Sequence, residues 1–242
     1  MSSSKYKNKY GLSRKQEKDA AKYFGKHITT EKAVFLLVAT LLACAMPMLI
    51  GYRLWESIPG IVETGLIGAN GNDDSMPRGV LVYGLPGLMC VLNLICHGQL
   101  FINQKAQRIP PASSRIIGRW GFPILSVFCV SICLLNAAGQ KVSAAFLIPC
   151  ALAMLLMFLG SHFFDCKRDS NIALHFRFME YKEDVWRIAH RIAGICWAAA
   201  GLLMLFLVMF TGSLPIWSLF TVLVLMAVPV FAGYVLSRKS AL

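Results

Sequence analysis

The chain has 242 residues, of which 57% are hydrophobic and only 15% are charged, and its mean hydropathy is +0.60. Soluble domains contain roughly 45–50% apolar residues, so this composition argues against a soluble enzyme. The formal net charge of +12 would suggest a nucleic-acid partner if the protein were soluble. The positions of the cations relative to the apolar segments therefore decide how the charge is interpreted.

The chain opens with a basic arm, residues 1–32, which carries nine Lys and Arg residues. Five uncharged runs follow, at 33–52, 79–104, 120–140, 142–164 and 192–237. A membrane-spanning helix needs roughly 20 mainly apolar residues, and every run reaches that length. The last run has 46 residues and is interrupted by Thr211-Gly-Ser-Leu-Pro215, a turn sequence that divides it into two spans. We therefore predict an all-α integral membrane protein with six transmembrane helices in a single domain, 33–237.

The cations fall almost entirely on one side of this predicted bundle. Of the 24 Lys and Arg residues, 21 lie in the arm, in the loops 105–119 and 161–191, or in the tail 238–242. Only Arg53, Arg78 and Lys141 lie on the other side. Because loops rich in Lys and Arg stay in the cytoplasm, we expect both termini to be cytoplasmic. The lipid bilayer then accounts for the positive charge, and no direct nucleic-acid partner is expected.

The segment 53–78, between the first two spans, is the only sizeable surface expected outside the cell. Its candidate contacts for an external ligand are Trp55, Pro59, Asp73, Asp74 and Arg78. The other two outer connections, at 136–141 and 211–215, are typical of tight hairpins with little room for a site. On the cytoplasmic side, 105–119 contains Pro110-Pro111 and is interpreted as an irregular linker.

A helix is predicted to enter the fifth span from the cytoplasm, because no Pro or Gly interrupts residues 181–191. At 3.6 residues per turn, one face of this helix carries Glu183, Arg187, His190 and Arg191. We expect Glu183 to pair with Arg187. We also expect Trp186 to stack near His190. The same residue types anchor helices at the lipid headgroups, so a functional motif and an interfacial anchor both remain open. Farther along, Gly194-x-x-x-Ala198 predicts close packing against a neighbouring helix.

Three alternatives remain from the residues alone. A metal site would require convergence of the potential ligands expected near the cytoplasmic face, which are His97, His162, Asp165, Cys166, His175 and His190. A small transporter would need polar groups inside the spans, and the candidates there are neutral, such as Asn93 and Thr221. A lipid-modifying enzyme could place Arg177, Arg187, His190 and Arg191 on a lipid phosphate. The sequence contains no recognisable catalytic motif, so we predict neither an enzyme nor a cofactor.

The segment Val185-Trp-Arg-Ile-Ala-His-Arg-Ile-Ala-Gly194 resembles the signature of the SdpI family of bacterial membrane proteins. The specific positions of this resemblance are Trp186, His190 and Arg191. Upstream, Asn171-x-x-x-His175-x-Arg177 is similar to the family's Asn-x-x-x-Gly-x-Arg. The outer segment from Trp55 to Arg78, followed by Leu85-Pro86, is similar to the domain that often forms the first half of these proteins.

This resemblance implies a multi-pass protein of the bacterial cytoplasmic membrane that confers immunity to a secreted membrane-active peptide toxin. It also implies signal transduction in which a small repressor protein is held at the membrane. The outer segment would face the toxin, and the cytoplasmic segment would couple to the partner. The candidate functional motif comprises Arg177, Glu183, Trp186, Arg187, His190, Arg191 and Gly194.

Overall fold

The computed structural model describes residues 29–67, 73–105, 112–164, 166, 173–176 and 183–239. Six helices in these ranges are long and apolar enough to cross a membrane. They are Thr30–Arg53, Val80–Asn103, Ser114–Ala137, Ala144–Phe163, Glu183–Thr211 and Ile216–Arg238, and we refer to them as the first to the sixth span. The predicted number of candidate spans and the break near residue 212 are confirmed.

The regular elements follow one another along these spans. The α-helices are α1 Thr30–Ala45, α2 Pro47–Arg53, α3 Leu85–Lys105, α4 Ala112–Leu125, α5 Ser131–Ala137, α6 Ala144–Phe163, α7 Glu183–Thr211 and α8 Ile216–Lys239. Two π-helical turns, Val80–Gly84 and Ser126–Val130, lead into α3 and join α4 to α5. A single 3-10 turn, Trp55–Ser57, follows α2. The predicted tail begins inside α8 rather than after it, because that helix includes residues 238 and 239.

The expectation of an irregular linker at 105–119 is wrong for most of its length. Helix α3 continues to Lys105 and α4 already begins at Ala112, directly after Pro110-Pro111. Proline is well tolerated at the start of a helix, because the first N–H groups of a helix have no intrahelical partner. The helix therefore begins at the residue that follows this pair of prolines in the sequence, and Arg115 and Arg119 are helical.

The outer segment is not a plain loop. Strands β1, Ile61–Ile67, and β2, Asp73–Pro77, pair in antiparallel register, with Ile61 opposite Pro77 and Glu63 opposite Ser75. The register shifts between Glu63 and Ile67. This two-stranded hairpin is an addition to the all-α architecture, and it gives the outer segment a defined shape.

The fourth and fifth spans form the most intimate helix pair of the bundle. A Cβ on Gly160 would lie 2.7 Å from the backbone nitrogen of Ala198, and one on Gly194 would lie 2.8 Å from the Cα of Phe164. A Cβ on Gly201 would lie 2.5 Å from the carbonyl oxygen of Ala153. The two backbones are thus in direct contact, as the small residues predict.

Many large apolar side chains of the spans point outward. On the sixth span, Trp217, Phe220 and Phe231 are all exposed. Water would not favour such a surface, whereas lipid tails would solvate it. The exposed apolar faces agree with the length and composition of the six candidate spans.

Candidate functional site

Trp186 and His190, on the first turns of α7, form the centre of the candidate functional motif predicted from the sequence. Their rings stack with centroids 4.0 Å apart and an angle of 26° between the planes. Trp186 is 4% exposed and His190 is 1% exposed. The predicted stacking is confirmed, but a residue that anchors a helix in the headgroups would be more accessible.

Hydrogen bonds connect this pair to the segment that precedes α7. The indole Nε1 of Trp186 donates to the carbonyl oxygen of Cys166 at 3.1 Å. The backbone N–H of Leu174 donates to Nε2 of His190 at 3.1 Å. We call Trp186, His190 and these two loop partners the latch, because they hold the loop against the helix.

The hydrogen bonds of His190 determine its tautomer. Nε2 accepts from the Leu174 N–H, so it carries no proton. Nδ1 lies 2.9 Å from the carbonyl oxygen of Trp186, which can only accept, so Nδ1 carries the proton. The imidazole is therefore neutral, and both of its nitrogens are used inside the protein.

Apolar and aromatic contacts close the latch. Ala173 and Phe176 pack against Trp186 and Ala189. The His175 ring lies 5.4 Å from the Trp186 ring, measured between centroids. The short loop stretch 173–176 is thereby positioned by both polar and apolar interactions.

Arg191 extends the same region toward the first span. Its guanidinium forms a salt bridge with Glu31, at the start of α1. It also lies over the ring of Phe164, with Cζ 5.3 Å from the centroid. Phe164 in turn stacks on Phe35 of α1 with centroids 4.8 Å apart. We call the end of the bundle that contains Glu31, Phe164 and Arg191 the N-terminal end.

The predicted common face of the motif divides into two. Arg187 pairs with Asp184 at 3.1 Å rather than with Glu183, and both partners are largely exposed. His190 points the other way, into the protein. The expected pair fails because, on this first turn, a spacing of three residues brings the carboxylate of Asp184 to Arg187. Glu183 and Arg187 lie on the exposed face of α7, whereas Trp186 and His190 lie on its buried face.

Two further motif residues have different outcomes. Gly194 lies in the contact between the fourth and fifth spans, where its missing side chain allows the backbones to meet. This position explains the glycine by packing. Arg177 lies outside the described residues, as does most of the basic arm.

The potential metal ligands do not converge in the part of the chain that the structure describes. No group of three or more His, Cys, Asp or Glu side chains there could hold a metal ion. Asp165 lies outside those residues. His190 is engaged in the latch, and His97 lies in a separate cluster between the first and second spans.

At the other end of the bundle, Trp55 and Arg78 support the base of the hairpin. The guanidinium of Arg78 lies over the Trp55 ring, with Cζ 4.1 Å from the centroid. Its Nη1 donates to the carbonyl oxygens of Trp55 at 2.9 Å and Ile58 at 3.4 Å. We call this end the hairpin end and this pair the outer clamp.

The structure gives no side-chain contact for the remaining outer candidates, Pro59, Asp73 and Asp74, among the described residues. Pro59 is exposed in the turn that precedes β1. Asp73 begins β2, where its backbone pairs with Ile67, and Asp74 follows it in the strand. The side chains of both aspartates lie outside the described part of the structure. Among the five outer candidates, the contacts of the described residues bring together Trp55 and Arg78.

The sequence interpretation missed a cavity of about 420 Å³ at the hairpin end. It lies where the tight outer connections were expected to leave little room. Its lining residues are Arg53, Leu54, Leu135, Gln140, Lys141, Ser143, Phe146, Thr211, Gly212 and Ser213. A signal was present in the sequence, because Arg53 and Lys141 are two of the three cations outside the cation-rich side.

The sequence also did not predict that polar side chains of the first and second spans meet in one buried cluster. The amide Nδ2 of Asn93 donates to Oγ1 of Thr40 at 3.0 Å, and Oγ1 lies 3.3 Å from Nε2 of His97. The Thr40 hydroxyl donates to the carbonyl oxygen of Leu36 at 2.8 Å. The buried Oδ1 of Asn93 has no hydrogen-bond partner among the described residues.

Comparison with known proteins found no matching protein-family model, no matching curated protein and no matching solved structure. The resemblance to the SdpI family therefore rests on the sequence positions given above.

Proposed function

We propose that this protein is an SdpI-like immunity protein of the bacterial cytoplasmic membrane, which protects its cell from a secreted membrane-active peptide toxin. In this proposal both termini are cytoplasmic, so the hairpin end faces outward and the latch faces the cytoplasm. The observation that carries the proposal is the latch. Trp186 and His190, two of the positions that carry the resemblance, are the two residues that hold the loop to α7.

The latch supports a role beyond membrane anchoring. An anchoring Trp or His would be expected to lie accessible at the headgroups, whereas both of these rings are buried. Arg191 joins the same region to Glu31 on the first span, and the outer segment begins where that span ends. We infer that a change at the outer segment reaches the latch through the first span and these contacts.

The hairpin end supplies the surface that would meet the toxin. A two-stranded sheet leaves a free edge on each strand, and an exposed edge can accept an extended peptide. The outer clamp fixes the base of this hairpin to the end of the first span. Tyr52 and Ile61 nearby are both exposed and offer apolar contacts.

On the cytoplasmic side, the exposed Glu183 and Arg187 are the surface we assign to a protein partner, such as a small repressor. Their side chains point away from the latch, so a partner could contact them without opening it. In this proposal, a conformational change in the latch would alter the surface of Glu183 and Arg187 and thereby the binding of the partner.

The test is survival of a sensitive bacterium that is challenged with membrane-active peptide toxins while it expresses the protein. We expect the intact protein to protect, and we expect Trp55→Leu, which removes the ring beneath Arg78, to reduce protection. The matched control is Trp217→Leu, since Trp217 is an exposed tryptophan at the start of the sixth span. Absence of protection by the intact protein, at verified membrane expression, would contradict the proposal.

A second candidate, a small transporter, is favoured by the buried cluster of Thr40, Asn93 and His97. Polar groups inside a span are costly and often line a substrate path. This candidate predicts substrate flux in proteoliposomes that Asn93→Leu abolishes. The immunity proposal instead predicts that Asn93→Leu retains protection.

A further inference from the structure

The cavity at the hairpin end contains two cations and no carboxylate among its described lining residues. Arg53 is the last residue of α2, and its buried Nε has no hydrogen-bond partner in the described part of the chain. Lys141 is exposed on the connection before α6. Two positive charges that line one cavity repel each other, and an anion between them would offset this repulsion.

The shape of the cavity keeps Arg53 in place. The Nη1 of Arg53 would lie 2.4 Å from a Cβ added at Gly212, so the guanidinium rests directly on the backbone of that glycine. Gly212 has φ +87°, a conformation that favours glycine, and it directly follows the fifth span. The turn after α7 is therefore built to accommodate this guanidinium.

Neutral donors add to the two cations. Ser143 precedes α6, and its side chain makes no capping hydrogen bond to that helix. The first N–H groups of a helix have no intrahelical partner and carry partial positive charge. Ser143 and Phe146 both line the cavity, and the N–H of Phe146 already donates to the carbonyl oxygen of Ser143 at 3.1 Å. The start of α6 therefore offers the cavity the Ser143 hydroxyl and the partial positive charge of a helix N-terminus. The volume of about 420 Å³ is large enough for a small molecule, since small-molecule sites commonly measure roughly 300–1,000 Å³.

The position of the cavity indicates where a ligand would come from. The first span ends at Arg53, the third at Ala137 and the fifth at Thr211, and the fourth begins at Ala144. All four of these boundaries adjoin the cavity, which places it at the level where apolar helices meet the headgroups. Lipid phosphates lie at that level, and guanidinium and ammonium groups are their usual protein partners.

We propose that the cavity between Arg53 and Lys141 binds a phosphate-bearing anion. The guanidinium of Arg53 donates to the phosphate oxygens, and Lys141 and the start of α6 complete the shell. A lipid headgroup and free phosphate share this chemistry, and the experiment distinguishes them. The inference does not rest on the proposed immunity function, because only the contents of this cavity carry it.

The experiment uses the full chain, purified in detergent and freed of bound lipid. Phosphatidylglycerol is compared with phosphatidylcholine by native mass spectrometry, and inorganic phosphate is titrated by calorimetry. We expect Arg53→Gln and Lys141→Gln each to raise the Kd of the bound probe by about tenfold or more, as is typical when a charge-assisted hydrogen bond is lost. The control Arg238→Gln, which removes a cation of α8 far along the chain from the cavity, should leave the Kd within about twofold.

Each outcome has a defined meaning. Cation-dependent binding of phosphatidylglycerol alone identifies a lipid site, and cation-dependent binding of inorganic phosphate alone identifies a soluble-anion site. Lys141→Gln guards against misfolding of the Arg53 variant, because Lys141 is exposed on a connection and its loss should not affect folding. If neither probe binds the intact protein, or if both variants bind as the intact protein does, the proposal is overturned.

Discussion

The latch and the cavity, which lie at opposite ends of the bundle, treat their polar side chains in opposite ways. At the N-terminal end, Trp186 and His190 are buried and every ring nitrogen is hydrogen-bonded within the protein. At the hairpin end, Arg53 keeps a buried Nε without a partner among the described residues, beside a cavity. The polar atoms of the latch are satisfied by hydrogen bonds within the protein. The cation beside the cavity is not satisfied in this way by the described residues, and a ligand is proposed there for that reason.

The first way to test this contrast is to remove the largest ring of the latch. Trp186→Ala should lower the free energy of unfolding by about 3–5 kcal/mol, because it deletes a fully packed indole and its hydrogen bond to Cys166. Thermal and denaturant unfolding in detergent measure this loss. The control Trp217→Ala removes an exposed ring and should cost less than about 1 kcal/mol. Equal losses would show that the latch is not a structural element.

A smaller effect should follow at the contact that supports the latch from within the bundle. Gly194→Ala should destabilise the protein by about 1–3 kcal/mol, since its Cβ would meet the backbone of the fourth span. Gly98→Ala on α3 should instead stabilise the protein by up to about 1 kcal/mol, since nothing lies within 4 Å and alanine is the better helix former. The opposite signs are measured by the same unfolding assays. A gain in both variants would contradict the direct backbone contact.

The sequence predicted the parts of this contrast that depend on periodicity and length. Uncharged runs located all six candidate spans, and a spacing of four residues brought Trp186 onto His190. The same spacing misled for Glu183, because a competing carboxylate at Asp184 was closer to Arg187. Helical geometry shows which residues can meet, but it does not decide between neighbours on one turn.

Other features could not be predicted because they depend on elements distant in the chain. Leu174 and His190 meet only when the loop folds back on α7, and Arg53 meets Gly212 only after the first and fifth spans have packed. No local pattern specifies such contacts. The β-hairpin was missed for a different reason, since the Gly and Asp residues of 53–78 are also typical of an irregular loop.

The hairpin end can be tested by exchanging the cation of the outer clamp. Arg78→Lys keeps the charge but loses the planar fork that reaches the carbonyl oxygens of Trp55 and Ile58. We expect a local loss of about 1 kcal/mol, seen as faster hydrogen exchange in β1 with little change in global unfolding. Arg238→Lys is the matched control, because Arg238 also lies over an aromatic ring, that of Tyr234, but at an exposed position. Unchanged exchange in β1 would mean that the clamp does not hold the hairpin.

The smallest expected effect belongs to Arg187, whose salt bridge with Asp184 lies on the exposed face of α7. Exposed ion pairs contribute little, so Arg187→Ala should change the free energy of unfolding by no more than about 0.5 kcal/mol. If this face meets a cytoplasmic partner, the same variant should lose signalling while it keeps the stability of the intact protein. Unfolding in detergent and a reporter for the partner measure the two properties separately. A loss of stability comparable to that of Trp186→Ala would show that α7 has no free face, and the assignment of Glu183 and Arg187 to a partner would then fail.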